Sequence, residues 1–300
     1  MTRIRRGVLL GGLAFLLMPA AAAQAAFPGG NGEIAFGRSS KQQVDIWVVA
    51  PGVTGTRRIT NTPHRTESMP DWNSAGTRIA YVRCVGTKVG NCDIFTMDAG
   101  GGDRVRLTST PDVQETWPSW SPDGTAIAFT SNAEDSFQDI WVMDDDGSNQ
   151  TRLTTTAAFD AFPEWSPDGA SIAFTSNRAA PDDIWVMDAD GGNPTRLTAG
   201  PRIDERPDWA PDGQRITFSR KGDIWTMDAD GGNEVALTDT RQDEFASSFA
   251  PNGRRIAFNR LGNDGRIGIW VMRDDGTVRV QKTFGRIDFF PDWQPVPVPG

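Results

Sequence analysis

A short pattern of the form P-x-W-x-P-x-G, I-A-F, D-I-W-V-M-D, R-L-T returns along this 300-residue chain at intervals of 40 to 48 residues. A period of that size belongs to stacked or radial arrays, in which one small unit cannot bury its apolar surface alone and neighbours cover it. The register is clearest on the aromatic that closes the first element of each unit: Phe27, Trp72, Trp120, Trp165, Trp209, Phe249 and Trp293. A second landmark runs in phase, at Asp45-Ile46-Trp47, Asp93-Ile94-Phe95, Asp139-Ile140-Trp141, Asp183-Ile184-Trp185, Asp223-Ile224-Trp225 and Gly268-Ile269-Trp270. Six copies of this second landmark make six units.

Residues 162–198 serve as the type unit. Phe162-Pro163-Glu164-Trp165 reads as a short strand, and Ser166-Pro167-Asp168-Gly169 as a turn in which Pro presets φ and Gly supplies the left-handed residue. Ser171 through Thr175 form the next strand. After a variable loop come Asp183 through Asp188, a tight Asp190-Gly191-Gly192-Asn193 turn, and Thr195 through Thr198. Each unit is therefore expected to be a four-stranded antiparallel meander. In its third strand Ile184 and Val186 point one way, Trp185 and Met187 the other, so both faces are apolar. Copies set like blades round an axis cover both faces, which predicts an all-β, six-bladed β-propeller over residues 26–300. The first unit begins at its second strand and the chain ends after an extra first strand, Phe289-Phe290-Pro291-Asp292-Trp293. The C-terminal strand is expected to join the N-terminal blade, closing the ring and removing an exposed edge.

Residues 1–25 read as a signal peptide: Arg3, Arg5 and Arg6, an apolar stretch, then Ala23-Gln24-Ala25 as a small-x-small cleavage site. The expected product is exported, periplasmic or secreted, with no membrane span. Ordinary secretion is preferred over a twin-arginine signal, since adjacent arginines occur in any basic leader. Cleavage removes three arginines and no acid, taking the formal charge from −9 to −12. That excess argues against nucleic acid or an anionic membrane as partner. Cys84 and Cys92, the only cysteines, flank one hairpin loop. In an exported chain they are most simply a disulfide, contributing about 2 kcal/mol in the chain-entropy model. A zinc site would need two more ligands.

The runs Trp120-Ser121-Pro122-Asp123-Gly124, residues 165–169 and 183–193, and the recurring T-R-L-T resemble the repeats of the TolB-type β-propeller family over nearly all of the mature chain. The resemblance implies a periplasmic propeller that binds a protein partner in a cell-envelope complex. Members carry an α/β domain ahead of the propeller; here the repeats begin almost at the cleavage site, so an isolated propeller is expected. Similar repeats occur in prolyl-oligopeptidase-like enzymes, but no G-x-S-x-G elbow exists in this chain.

Counting back five from each of the six first-strand aromatics between Trp72 and Trp293 gives Glu67, Glu115, Asp160, Asp204, Glu244 and Asp288, six acids out of six. Ordinary composition gives an acid at roughly one position in eight. The innermost strand of a blade borders the tunnel, so these acids are expected to ring one mouth. One position before the same aromatics stand Asp71, Ser119, Glu164, Asp208, Ser248 and Asp292, expected as a second tier. A cationic peptide segment or a Ca²⁺ ion suits such oxygen ligands. The competing reading is structural: an acid recurring in a repeat caps a turn in every blade for the same reason. The Asp-rich turns at 144–149, 188–193 and 228–233 read as hairpin turns, because they lack the ligand positions of an EF-hand. Most of the eleven tryptophans sit at framework positions and read as core. Trp117 departs from them, standing where other units have Met69, Phe162, Arg206, Ala246 or Phe290. It is read as core, with exposure at the acidic mouth as the alternative. His64, the only histidine, reads as a solvated loop residue near the same rim.

Three functions follow. The first is a non-catalytic protein- or peptide-binding scaffold of the envelope, with residues 61–67, 111–115, 155–160 and 200–204 as its rim. The second is a hydrolase or lyase on envelope polysaccharide that uses two rim carboxylates as acid and base. The third is a structural module that binds itself or the cell wall. No nucleophilic triad can be assembled, which favours the first over an enzyme.

Overall fold

A computed structural model of the chain describes residues 29–40, 43–53, 55–85, 91–134 and 137–297. The signal sequence and Phe27 lie outside the described residues. The described regular structure is strand. Four sheets are separate four-stranded meanders; in the type unit the strands are Asp160–Trp165, Ser171–Ser176, Asp183–Asp188 and Thr195–Arg196, paired in chain order. Cross-strand partners such as Ile172↔Met187 and Phe174↔Trp185 set the register.

The remaining strands form one eight-stranded sheet, not the two separate four-stranded sheets the repeats predict. Its order runs from the C-terminal strand Ile287–Val296 to Gly30–Ser40 and Gln43–Val49, then across to Arg65–Trp72, Arg78–Val85, Cys92–Asp98 and Val105–Arg106, with Thr56–Arg58 also on Gln43–Val49. The join is parallel and consists of a single pair, Val44↔Thr66. A two-stranded contact this short escapes a reading based on repeat period. The C-terminal strand pairs antiparallel with Gly30–Ser40, Trp293 opposite Ile34 and Asp292 opposite Ala35.

Each motif has a local cause. The fourth strand of a meander is a stub, and the threonine that ends R-L-T secures it: Ile46, Ile94, Ile140, Ile184, Ile224 and Ile269 each donate their N–H to the Thr hydroxyl fourteen residues on, at 2.8 to 3.0 Å. The Asp-rich turns are hairpins, as expected. Asn193 Nδ2 donates to Asp188 Oδ2 at 2.7 Å, and Gly191 has a φ of 87°. Gly147 is needed twice over, because its φ is 88° and a Cβ there would lie 2.6 Å from the Leu107 carbonyl oxygen of the preceding sheet. The disulfide Cys84–Cys92 is present, joining directly opposed residues of neighbouring strands.

Apolar faces interleave from sheet to sheet, the arrangement of a β-propeller. Ala128 and Ile140 of one sheet pack on Trp165, Ile172, Phe174 and Met187 of the next; Ile184 from the other face of that sheet packs on Ile216, Phe218 and Met227. Burial of each such side chain stabilises by about 1.5–3 kcal/mol. Framework tryptophans Trp72, Trp120, Trp165 and Trp293 are buried in these layers.

One residue of each first strand breaks the pleat. Met69, Trp117, Phe162, Arg206, Ala246 and Phe290 have φ between 51° and 60°. The ladder slips at this point, as between Ala161 and Glu164 or Glu205 and Asp208. Such bulges re-aim a side chain. Left-handed backbone in non-glycine residues costs about 1–2 kcal/mol per residue. Part of that is offset by hydrogen bonds to the preceding sheet: Arg206 N–H to Thr175 Oγ1 at 3.0 Å, Phe290 N–H to Asn259 Oδ1 at 2.8 Å, and Phe162 N–H to Thr130 Oγ1 at 3.2 Å.

Candidate functional site

The six acids five positions before the aromatics are all buried, none more than 1% exposed. Five are ion-paired to an arginine at or just past the end of the second strand: Glu67 with Arg83 (2.7 Å), Asp160 with Arg178 (2.8 Å), Asp204 with Arg220 (2.5 Å), Glu244 with Arg260 (3.3 Å) and Asp288 with Arg38 (2.6 Å). Four of these pairs stand directly opposite in the ladder. The guanidinium then stacks on the third-strand aromatic, 4.3 Å from Phe95, 4.9 Å from Trp185 and 4.8 Å from Trp225, to take three. Glu115 faces Ser131 and has no such arginine; Thr108 and Thr110 donate hydroxyl bonds to it, and burial pushes its pKa up.

The expected open rim of Glu67, Glu115, Asp160, Asp204, Glu244 and Asp288 is corrected accordingly. Five of these carboxylates latch to an arginine, Glu115 is held by two threonines, and all six are buried, so they present no face to a partner. As for the Ca²⁺ considered there, among the described residues no group of three or more His, Cys, Asp or Glu is placed to hold a metal ion. The overlooked signal was an arginine sixteen residues after the acid, at Arg83, Arg220 and Arg260, which strand pairing turns into a contact. His64 is exposed at a left-handed turn.

The second tier is where the fold gathers carboxyl groups. Asp71, Glu164, Asp208 and Asp292 line both of two small cavities, of about 100 and about 30 Å³, that meet at them. Three accept a backbone N–H at 2.7 Å: Asp71 from Trp120 and Asp208 from Phe249, each of the next sheet, and Asp292 from Trp72 across the eight-stranded sheet. Ser119 accepts from Trp165 at 3.4 Å, and Ser248 donates to Asp292 Oδ1 at 3.1 Å. Burial, ahead of mutual repulsion, holds Asp71, Glu164 and Asp208 well above the usual carboxylate range. Burial likewise lifts Asp292, to about 7. This floor therefore retains protons near neutral pH and carries less than four negative charges.

Above the floor stand the left-handed residues, which line the larger cavity. Trp117 meets Phe162 and Phe290 edge-on, with ring centroids 4.7 and 4.6 Å apart. Arg206 lies against all three rings, at 4.3, 4.3 and 5.0 Å from Trp117, Phe162 and Phe290. Trp117 is half-buried at this mouth, which corrects its assignment to the core. The bulge turns it, with Phe162 and Phe290, off the sheet face and towards the opening.

A family model described as the TolB beta propeller domain matches residues 114–296. The chain belongs to the TolB β-propeller family. Among solved structures, TolB from Acinetobacter baumannii is 23% identical with a TM-score of 0.75, over 88% of this chain and 67% of that one. A putative TolB from Agrobacterium tumefaciens is 20% identical with a TM-score of 0.67, over 90% and 93%. An oligogalacturonate lyase from Vibrio parahaemolyticus is 14% identical with a TM-score of 0.57, over 81% and 78%. At these identities the likeness is one of fold. No significant match is found among curated proteins.

Within this TolB-family chain the acids divide by offset: those five before the aromatic are structural, and those one before it surround a cavity. No helix among the described residues is long and apolar enough to cross a membrane.

Proposed function

We propose that this TolB-family propeller is an exported, non-catalytic scaffold of the cell envelope that binds a protein or peptide at the mouth formed by Met69, Trp117, Phe162, Arg206, Ala246 and Phe290. The observation that carries this reading is the convergence of six left-handed residues on one opening, five with bulky side chains, over a floor of carboxyl groups. Strain repeated at one place is costly, and persists where the surroundings over-determine it. The large rings present an apolar surface with little conformational freedom to lose, which suits protein recognition.

The architecture behind the reading is a ring of six blades, counting the eight-stranded sheet as two joined by Val44↔Thr66. It is supported by the inner strands, each of which lies against the next, with Ile287–Val296 against Arg65–Trp72. The Asp292 to Trp72 bond crosses the same seam, which favours closure by the C-terminal strand.

A peptide library displayed on phage and selected on the protein tests this. Recovered peptides should lose binding to a Trp117→Ala/Phe162→Ala double variant that melts as the parent does. Peptides that bind the double variant equally well would place recognition elsewhere. The enzyme reading has one feature in its favour: burial among the other floor carboxyls lifts the Asp292 pKa to about 7, which suits general acid–base work. Turnover of an acidic polysaccharide that Asp292→Asn abolishes would establish it in place of the scaffold.

A further inference from the structure

The ring of left-handed residues has one charged member. Where the other units place Met69, Trp117, Phe162, Ala246 and Phe290, the fifth places Arg206. Its guanidinium is pressed against three aromatic rings, makes no ion pair among the described residues, and leaves Nη1 buried without a hydrogen-bond partner. The contrast with the arginines of the latches is direct: Arg83, Arg178 and Arg220 also stack on rings, and each is answered by a carboxylate. A buried donor without an acceptor is expensive, and a desolvated cation without a counter-ion more so. Burial draws the Arg206 pKa down to about 10, Glu205 beside it offsetting only part of that loss. The group stays charged at neutral pH.

We propose that Arg206 receives a carboxylate of the bound partner, an acidic side chain or a chain terminus, with Trp117, Phe162 and Phe290 holding the apolar group that carries it. This deepens the reading above and rests on the mouth being the docking surface. It also reverses the sign expected from sequence, which pointed to a cationic segment. The aromatic cage that would attract a ligand cation is filled by the protein's own cation. What Arg206 lacks is an acceptor. A singly charged carboxylate fits better than a phosphate, whose second charge would sit above Asp71, Glu164, Asp208 and Asp292.

The test uses 3-phenylpropionate, 3-phenylpropanamide and phenethylammonium as probes, with binding read by ligand-observed NMR and calorimetry. The carboxylate should bind with a Kd on the order of 1 mM, typical of a small ligand. The amide and the ammonium should bind at least about tenfold more weakly, the loss that follows from removing one charged hydrogen bond. Arg206→Ala should abolish the preference; alanine already occupies the matching position at Ala246 with φ 51°, so the backbone accepts it. If that variant fails to fold, the probe series on the wild type still decides. Equal or tighter binding of the ammonium or amide overturns the proposal, as does tighter ammonium binding by Arg206→Ala, which would make Arg206 a plug. So does no detectable binding of the carboxylate at about ten times that Kd. Failure of the mouth itself reads differently, as selected peptides indifferent to the Trp117→Ala/Phe162→Ala change.

Discussion

Two sets of carboxyl groups lie on the same six inner strands, four residues apart, and do opposite things. The outer set, from Glu67 to Asp288, is acidic in every unit, and five of its members pair with an arginine across the ladder. The inner set is acidic in four units of six, is answered mainly by backbone N–H groups of the neighbouring unit, and borders open space. Perfect recurrence marks what every sheet needs to hold its own strands together. Departure from recurrence, at Glu164 against Ser119 or Arg206 against Ala246, marks what the sheets build together.

Removing an outer partner should have the largest effect. Arg220→Ala leaves Asp204 buried and unpaired and should cost about 3–5 kcal/mol in urea unfolding. A loss under about 1 kcal/mol would break the comparison, because a latch cannot be so cheap to open.

The inner set should respond to pH in the opposite sense to a paired acid. Its pKa values are raised by burial, so the stability it allows is complete below the ordinary carboxylate range and is lost as pH rises through the folded values, near 7 for Asp292. The melting temperature should be higher at pH 5 than at pH 8. Asp292→Asn should narrow that gap, stabilising more at pH 8 than at pH 5 by about 2 kcal/mol. A melting temperature that rises from pH 5 to pH 8 would show the floor to be stabilised as anions.

Glu115 sharpens the division because it is an outer acid without its arginine. Its pKa is raised by burial, so it too loses stability as pH rises. Glu115→Gln should be neutral or stabilising at pH 8 by about 0.5–1 kcal/mol, whereas Asp204→Asn at the matching position should destabilise by about 3 kcal/mol. Equal penalties in thermal melts would mean that the arginine is incidental to the latch.

The sequence by itself determined the repeat, the meander within it, its hairpin turns, the propeller-type layering and the disulfide. Each of these follows from local rules: Pro and Gly at turns, period-two alternation, and apolar side chains on both faces of a strand such as residues 183–188. The tertiary structure alone decided which acids were spent and which were gathered. A count along one strand identifies a recurring acid but not the arginine opposite it, since Asp204 and Arg220 meet through strand register. Nor does it reveal a bulge, because Trp117, Phe162 and Arg206 share no side-chain chemistry; what they share is a left-handed φ where the inner strand leaves its ladder, and there Phe162 and Arg206 bond the neighbouring sheet. The mouth is built by contacts between units, and the pattern within a unit carries no record of them.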